Sequence, residues 1–440
     1  MNIKKVALTL ASVAAITTFA PEASAIPAFA RQVGMACSAC HYQHFPVLNA
    51  FGRAFKQGGY TMIGTQEKIE GEGVSLPATL NAAVVGYIAY TKTNGTPSST
   101  ENYGALTSND NGGSLQIPQQ VSLFVGGRGG ENFGYEAEIG IGGSGVGQAP
   151  AGLIRFKVPF VVEAAGLKTQ IIPFATGNGV ADSFEILNTG AVNVHAFNQT
   201  DMAAVSAAQY IGTGTSASGF ALVTSNENFF ANVAKWGATQ GQGTAGGQSL
   251  TSNYVRAAWT TDMISGWDTA IGVQNWSGSS ANDNAGAATA PYGVNATQAF
   301  AIDAQLMGDV GGMPLLIVAS YAKAPSTTAT GAANLFNGQG MDMSSFNIGA
   351  ELGIVPNVAT VQLAYRNAKS GQDAGTVVGN AASGQNASDN AVMLGATYAI
   401  ALNARLEVTQ SWYSGDLYAA GSTAATNGNS LTSFDLAFAF

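Results

Sequence analysis

The sequence predicts an all-β chain, an antiparallel transmembrane β-barrel of about 16 strands, preceded by a small α-helical segment. Only 10% of its 440 residues are charged, against roughly 25% in ordinary soluble proteins. So low a charge also disfavours nucleic-acid binding. From about Leu76 onward, apolar and polar residues alternate with the period of two that a strand requires. The connections between these runs are alternately short and long, which is typical of an outer-membrane barrel.

The alternation defines two faces on each predicted strand. In residues 135–139 apolar side chains alternate with two carboxylates, and in residues 154–158 they alternate with two bases. The same pattern recurs at 302–306, 363–366 and 406–408. A soluble β-sandwich shows the same alternation, so the pattern predicts strands and the connections must decide the architecture.

Seven short turns and eight long loops imply 16 strands. The turns lie near residues 128–132, 162–168, 225–228, 262–266, 309–312, 355–357 and 401–403. The loops lie near residues 91–114, 143–150, 177–217, 238–250, 277–296, 324–342, 369–389 and 415–430. An even strand number returns both termini to the periplasm, where the tight turns of such barrels lie. We therefore assign residues 75–440 to the barrel.

The residues at the ends of the predicted strands also favour an outer-membrane barrel. Residues 434–440 alternate large apolar with small or polar side chains and end on Phe440, which resembles the terminal strand of outer-membrane proteins. Aromatic residues near strand ends fit the girdles that barrels place at the membrane interfaces. These aromatic residues are Tyr87, Tyr90, Phe133, Trp236, Trp259, Trp267 and Trp276.

Residues 1–25 have the pattern of a secretory signal peptide. Lys4 and Lys5 precede an apolar run, and Ala23-Ser24-Ala25 is a small-residue cleavage site. We expect the mature chain to begin at Ile26, and we call residues 26–74 the N-terminal segment. This segment has a net charge of +1 and the barrel has a net charge of −11. An acidic lumen concentrates cations.

Both cysteines lie in Cys37-Ser38-Ala39-Cys40-His41, the spacing that attaches a c-type haem. Each thiol adds to one vinyl group of the porphyrin, and the adjacent imidazole becomes an axial ligand of the iron. We therefore predict one covalently bound haem c, anchored by Cys37 and Cys40, with His41 as proximal ligand. The alternatives are a redox dithiol, for which no βαβ pattern is present, and a partial zinc site, for which ligands are scarce.

The distal position of the iron is left open by the sequence. Met62 is the first candidate, because the preceding Gly pair lets the chain turn back, although it also suits a packing residue. His44 is an alternative, but it lies three residues after His41 on nearly the same side of a helix. His195 and an open or water-ligated position complete the set.

Three bases of the N-terminal segment are candidate partners of the haem propionates. Arg31, Arg53 and Lys56 can each make charge-assisted hydrogen bonds to a carboxylate. The alternative for these bases is a solvated or lipopolysaccharide-facing position.

Several runs of the N-terminal segment resemble one known family. These runs are Pro27-Ala28-Phe29-Ala30-Arg31-Gln32, the Cys37-x-x-Cys40-His41 motif, Phe45-Pro46-x-Leu48-x-x-Phe51-Gly52-Arg53-x-Phe55-Lys56 and Gly59-Tyr60-Thr61. They are similar to the fused monohaem cytochrome c–porins of the bacterial outer membrane, of the iron-oxidation type. The resemblance is specific over about 35 residues. Elsewhere it concerns only architecture and length.

The resemblance implies an outer-membrane electron-transfer cytochrome with ferrous iron oxidase activity. The expected donor is extracellular Fe²⁺, and the expected acceptor is a periplasmic cytochrome or other electron carrier. Two alternatives remain: a diffusion porin with a haem-bearing plug or sensor, and a conduit for a different extracellular donor or acceptor. Oligomeric state is left open, and trimers are common among porins with 16 strands.

Two parts of the chain are expected to occupy the barrel interior. A segment of about 50 residues is too short to bury a core alone, so we expect it to pack into the lumen or cap the periplasmic mouth. The loop at 177–217, called loop 3 below, is far longer than the others and contains Asp182, Glu185, His195 and Asp201. By analogy with porins it is expected to fold into the lumen, and the alternative is a surface loop with a short helix.

Overall fold

A computed structural model of the protein describes most of the chain after the predicted signal peptide. The described residues are 27–64, 66–72, 74–95, 112–142, 152–189, 198, 200, 201, 203, 205–238, 249–262, 264, 266–281, 294–326, 333–378, 383–420, 422 and 428–440. The predicted signal peptide and His195 lie outside them.

The N-terminal segment begins with two short helices. Helix α1 spans Ala28–Val33 and ends at Gly34, whose left-handed conformation at φ 70° suits glycine. Helix α2 spans Ala50–Gln57, and the Asn49 side chain caps it by accepting from the Gly52 amide at 3.0 Å. Among the described residues, no helix has the length and apolar character needed to span a bilayer.

A small hairpin separates these helices from the barrel. Strands β1 (Lys68–Gly71) and β2 (Val74–Pro77) pair only with each other. The predicted domain boundary at residue 75 falls within β2, and the first barrel strand begins at Ala82. The hairpin therefore acts as the connection between the two parts.

The barrel is a closed antiparallel sheet. Strand β20 pairs with β3, from Leu431 opposite Thr93 to Ala439 opposite Val85, and this pairing closes the sheet. Its strands are β3 Ala82–Thr93, β4 Ser114–Arg128, β5 Gly134–Gly142, β6 Gly152–Lys157, β7 Phe160–Ala164, β8 Leu167–Thr176, β9 Ala217–Ser225, β10 Phe229–Gly237, β11 Ser252–Thr261, β12 Asp268–Ala281, β13 Val294–Ala296, β14 Ala299–Val310, β15 Met313–Ala324, β16 Met343–Val355, β17 Ala359–Asp373, β18 Asn386–Ala401, β19 Ala404–Ser414 and β20 Ser430–Ala439.

These strands occupy 16 positions in the wall, because two positions are interrupted. β6 and β7 both pair with β8, and the break between them contains Pro159, which has no amide hydrogen for the ladder. β13 and β14 both pair with β12. The predicted all-β fold, an antiparallel barrel of 16 strands, is confirmed.

The connections follow the predicted alternation. All seven predicted short turns are found, and they lie at one end of the barrel, called the short-turn mouth below. Two predicted loops are too long: β12 continues to Ala281 and β13 begins at Val294, while β17 continues to Asp373 and β18 begins at Asn386. In both places the strands remain paired through a stretch rich in Ser and Asn. The prediction ended the strands too early because the alternation of apolar and polar residues stops before the backbone pairing does.

Short helical elements interrupt several connections. They are helices α3 (Ala207–Tyr210) and α4 (Ala374–Val377), with 3₁₀ turns at Cys37–Ala39, Val180–Ser183 and Asp416–Tyr418.

The barrel wall has a polar inner face and an apolar outer face. Glu136 and Glu138 of β5 are buried inside, whereas Ile139 is 41% exposed outside. On β17, Arg366 is buried inside and Leu363 is 53% exposed outside. The two faces predicted from the alternation are confirmed.

The predicted aromatic girdle is wrong for three of its residues. Tyr87, Trp236 and Trp276 point into the lumen and are buried, while Trp259 is 58% exposed on the outer face. Trp236 has the same parity as Asn232, which also points inward. Proximity to a strand end does not determine the face, because parity along the strand does.

Loop 3 lies inside the lumen. Its residues 178–189 are buried, and the Phe184 ring packs against Phe230 of the inner wall at 5.6 Å between centroids. Ile211, after helix α3, belongs to the same buried cluster as Trp236. The prediction of a luminal loop is confirmed for the described residues, and the surface alternative is wrong although the loop does contain a short helix.

Candidate haem-attachment site

The N-terminal segment closes the short-turn mouth. Its side chains and carbonyl groups bond to strand ends and turns around the rim, so the barrel supplies the packing that so short a segment lacks. These hydrogen bonds run from Arg31 to Ala82 O, Tyr42 to Gly308 O, Arg405 to Phe45 O, Gln57 to Asn226 O and Arg128 to Thr61 O.

The two cysteines lie in a tight turn. Cys37–Ala39 is a 3₁₀ turn, and the His41 amide donates to the Cys37 carbonyl oxygen at 2.9 Å. The thiols of Cys37 and Cys40 are free and partly buried. Both thiols and the imidazole of His41 therefore belong to one compact unit of five residues.

Helix α2 supports this turn from its N-terminal end. The Asn49 side chain donates to the Ala39 carbonyl oxygen at 3.0 Å, and the Asn49 amide donates to the Cys40 carbonyl oxygen at 3.0 Å. A Cβ atom on Gly52 would lie 2.2 Å from that Cys40 oxygen. Only glycine allows the helix to approach the turn so closely.

The imidazole of His41 is oriented as an iron ligand would be. Its Nδ1 donates to the Val47 carbonyl oxygen at 3.2 Å, which leaves Nε2 as the nitrogen with a free lone pair. Burial lowers the pKa of His41 to about 4, so the ring is neutral at physiological pH. A neutral imidazole is the form that binds a metal.

The surroundings of the thiols fit a covalently bound haem better than zinc. Burial raises the pKa of both Cys37 and Cys40, which disfavours the thiolate form that zinc ligation requires. Within the described part of the chain, no three His, Cys, Asp or Glu side chains are arranged to hold a metal ion. Met35 and Phe45 flank the motif and are 41% and 51% exposed, which is apolar surface of the kind that a porphyrin covers.

The candidate distal ligands differ in how strongly they are engaged. Met62 has a side chain that is 43% exposed, and its carbonyl oxygen accepts from Gln32 at 2.6 Å. Both ring nitrogens of His44 face oxygen atoms: Nδ1 lies 2.7 Å from the Phe45 carbonyl oxygen, and Nε2 lies 2.5 Å from Glu351 Oε1. In this arrangement the protein itself engages both nitrogens.

The three predicted propionate partners have different environments. Arg31 is exposed and donates to the Ala82 carbonyl oxygen at 2.9 Å. Arg53 forms an ion pair with Asp268 of the barrel, and its Nη1 is buried without a hydrogen-bond partner. A buried hydrogen-bond donor without an acceptor is costly, so this nitrogen is the best candidate in the segment to bind a propionate oxygen. Lys56 points towards charged residues of the inner wall, and burial lowers its pKa to about 8.

A cluster of buried charges joins the N-terminal segment to loop 3. The Tyr60 hydroxyl group donates to Glu136 Oε2 at 2.6 Å. Arg155 Nη1 lies 3.4 Å from Glu136 Oε1 and 3.2 Å from Asp182 Oδ1, and Lys157 Nζ lies 3.1 Å from the same Asp182 oxygen. These basic groups lower the pKa of Asp182 to about 2 despite its burial, so the carboxylate of loop 3 is charged.

Loop 3 is anchored to the inner wall at β11 and β14. The guanidinium group of Arg256 is fully buried and binds Asp303 through two hydrogen bonds, of 2.6 and 3.0 Å. Its Nε donates to Glu185 of loop 3 at 3.0 Å. The Thr189 hydroxyl group donates to Asp303 Oδ1 at 2.6 Å.

A second anchor lies on β19. Asp201 of loop 3 accepts hydrogen bonds from Thr409 at 2.8 Å, from Ser411 at 2.5 Å and from Tyr413 at 3.2 Å. β19 is seven wall positions from β11, almost half of the circumference. Loop 3 therefore crosses the lumen and is bonded to opposite walls.

Sequence reasoning missed the barrel residues that hold the segment. Asp268, Glu351, Glu136 and Arg405 are each more than 70 positions from the residues that they contact. A charged residue of inward parity near the short-turn end of a strand is the signal that identifies them.

The comparisons with known proteins concern the barrel. No family model and no curated protein matches the chain. Similar solved structures include the outer membrane channel DcaP of Acinetobacter baumannii (10% identity, 82% of this chain and 98% of that chain, TM-score 0.47), Salmonella typhi OmpF in complex with daunomycin (12%, 85% and 100%, 0.45) and the outer membrane protein OprD of Pseudomonas aeruginosa (11%, 82% and 92%, 0.40). Each is an outer-membrane protein. The fold described above rests on this chain's own strand pairings.

Proposed function

We propose that this chain is an outer-membrane electron-transfer protein, in which a monohaem cytochrome c segment is fused to a porin-like barrel. It accepts electrons from extracellular ferrous iron and passes them to a periplasmic carrier. Placement in a membrane is supported by the closed sheet with its apolar outer face, since closed barrels and helices are the structures whose backbone groups are satisfied in lipid.

The single observation that carries the proposal is the orientation of His41. Its Nδ1 is fixed by the Val47 carbonyl oxygen, its Nε2 is left for a ligand, and two free thiols stand in the same turn. Zinc would use the same oriented imidazole, but burial raises the pKa of both thiols and so disfavours the thiolates that zinc needs. A redox dithiol gives the oriented imidazole no role.

Each residue of the site has a separate task. Cys37 and Cys40 would hold haem c through thioether bonds, and His41 would ligate its iron. Haem c supplies one-electron chemistry when it is bound, so no nucleophile or acid–base pair is required of the chain. Gly52 and Asn49 keep the turn in shape. Arg53, whose buried Nη1 has no hydrogen-bond partner, would bond a propionate.

The charge of the barrel supports a cationic donor. The barrel carries a net charge of −11, and acidic groups within low-dielectric walls raise the local concentration of cations. The N-terminal segment lies at the short-turn mouth, which is the periplasmic end in outer-membrane barrels. That position supports transfer to a periplasmic cytochrome or other carrier.

Reduction by ferrous iron is the decisive test. Haem-loaded protein in vesicles is mixed anaerobically with ferrous iron in a stopped-flow instrument, and the haem Soret and α bands are followed. We expect reduced bands to appear with ferrous iron and not with zinc ions at the same concentration. Folded, haem-loaded protein that stays oxidised at both acidic and neutral pH would exclude iron as the donor.

A second candidate function is a diffusion porin whose N-terminal segment is a haem-bearing plug or sensor. The barrel architecture by itself favours this function, because barrels of 16 strands enclose an aqueous channel in porins. A loop that crosses the lumen is expected of porins too, so loop 3 does not separate the two functions. The N-terminal segment, which is bonded around the short-turn mouth, is the feature that would restrict diffusion through the intact protein.

Conductance in planar bilayers separates the two functions. The electron-transfer proposal expects low conductance for the intact protein and higher conductance for Arg256→Gln, which removes the guanidinium group that holds Glu185 and Asp303. Lys92→Gln, on the outer face of β3, is the matched control and should leave conductance unchanged. High conductance of the intact protein, with haem that ferrous iron does not reduce, would establish the porin function.

A further inference from the structure

The outer face of the barrel carries charge at one end only. Among the described barrel strands, charged side chains point inward except Asp373, which ends β17 and accepts from loop amides, and four lysines. These lysines are Lys92, Lys235, Lys323 and Lys369. All four lie near the strand ends opposite the short-turn mouth. The face below them is an uncharged band.

Two of these lysines form a pair. Lys323 of β15 and Lys369 of β17 both stand opposite Ser344 of β16, so the three residues lie in one row on the outer face. Neighbouring strands are about 4.8 Å apart, which places the two lysine backbones roughly 10 Å from each other. Long, flexible lysine side chains bridge such a gap to a common anionic group.

The row lies at the border of the apolar band that is farther from the short-turn mouth. Two residues along the strands towards that mouth, Tyr321 and Phe346 are paired on the outer face and are 38% and 42% exposed. Aromatic residues of this kind mark the interface between hydrocarbon and headgroups, and lysines beyond them extend into the headgroup layer. The pair is therefore at the level of lipid headgroups.

The ammonium groups of the pair have weak local partners. Lys323 Nζ lies 2.8 Å from Asp342 Oδ2, but the two side chains are 49% and 44% exposed. Lys369 Nζ donates to the Asn386 carbonyl oxygen at 3.2 Å. Exposed pairs of this kind contribute little, so both ammonium groups are available to a stronger anion.

We propose that Lys323 and Lys369, with Ser344 between them, bind a phosphate group of a bisphosphorylated lipid in the leaflet at the long-loop end. Two ammonium groups and a hydroxyl group match an anionic headgroup that is held at this level by its own acyl chains. This inference goes beyond the proposed electron transfer. It requires only that the barrel sits in a membrane with that lipid in one leaflet.

Native mass spectrometry of the full-length, haem-loaded protein in detergent tests the proposal. The probes are bisphosphorylated lipid A, the same lipid after removal of both phosphates, and inorganic phosphate. We expect retention of the bisphosphorylated lipid alone. The Lys323→Gln/Lys369→Gln variant should weaken its binding by roughly thirtyfold.

The matched control has the same change in net charge. Lys92→Gln/Lys235→Gln removes two isolated outward lysines and should leave binding of that lipid within about threefold of the unmodified protein. Equal losses in both variants would show a general charge effect and would overturn the paired site. If the protein retained the dephosphorylated lipid as well as the bisphosphorylated one, phosphate recognition would be overturned. If it retained inorganic phosphate, the lysine pair would be a site for a soluble anion and the lipid proposal would be overturned. Haem absorbance and reduction by ferrous iron, measured on the same samples, report separately on the proposed function.

Discussion

The Tyr60 hydroxyl group donates a hydrogen bond of 2.6 Å to Glu136 Oε2, and this bond joins the N-terminal segment to the barrel wall. Glu136 shares Arg155 with Asp182 of loop 3. The segment at the short-turn mouth and the loop inside the lumen therefore meet through one cluster of buried charges. In such a cluster, the loss of one member leaves its partners buried without full compensation.

Tyr60→Phe should loosen the N-terminal segment while its ring packing is kept. The ring stacks on Phe29 at 4.7 Å, and phenylalanine retains this contact. The lost hydrogen bond to a buried carboxylate costs about 1–3 kcal/mol. Hydrogen exchange of the amides in residues 50–64 should become faster. Tyr135→Phe, one residue before Glu136 and on the outer face of β5, is the control and should not change the exchange.

Lys56 should make the stability of the segment depend on alkaline pH. Burial, assisted by the positive charge of Lys157, lowers the pKa of Lys56 from 10.5 to about 8. Between these two values the unfolded chain binds more protons than the folded chain, so stability rises with pH across this window. Below pH 8 both states are protonated and the cost of burying the charge is constant.

Scanning calorimetry of Lys56→Met tests this dependence. The variant should be more stable than the unmodified protein below pH 8, and the difference should shrink as the pH rises towards 10.5. Lys68→Met is the control, because Lys68 is exposed and pairs with an exposed Glu70. A difference for Lys56→Met that is independent of pH would contradict the charge-burial argument.

The sequence predicted the barrel well because its pattern is local. Parity along a strand assigns each residue to a face, and the short turns are marked by residues such as Gly166 and Gly312, which adopt positive φ. Strand parity and turn glycines can each be recognised within a few consecutive residues of the sequence. Parity applied to Trp236 and Trp276 gives the correct inward face, which proximity to a strand end does not.

The environment of the site was less predictable because its partners are distant in sequence. Cys37, Cys40 and His41 identify themselves by spacing. The acceptor that occupies His44 is Glu351, 307 positions away, and no local pattern connects the two residues. Loop 3 was predictable as luminal from its length, but its anchors on β11, β14 and β19 depend on how the barrel closes.

His44→Gln should leave the haem spectrum unchanged. Both ring nitrogens of His44 are already engaged by oxygen atoms, those of the Phe45 carbonyl group and of Glu351, so we expect neither to bind iron. Optical spectra of the oxidised and reduced protein are the measurement. Met62→Leu is the paired variant, and it should alter the spectrum if its exposed thioether is the distal ligand. A changed spectrum for His44→Gln would place His44 on the iron.

Gly52→Ala should reduce haem attachment without loss of the barrel. The new Cβ atom would lie 2.2 Å from the Cys40 carbonyl oxygen, which is backbone and cannot move aside without distorting the cysteine turn. Gly58→Ala, at the end of the same helix, is the matched control, since its Cβ atom would meet nothing closer than 3.4 Å. The measurement is covalently bound haem per folded barrel, by haem staining against heat-modifiable mobility. Normal haem content in Gly52→Ala would show that the close approach of α2 is dispensable for attachment.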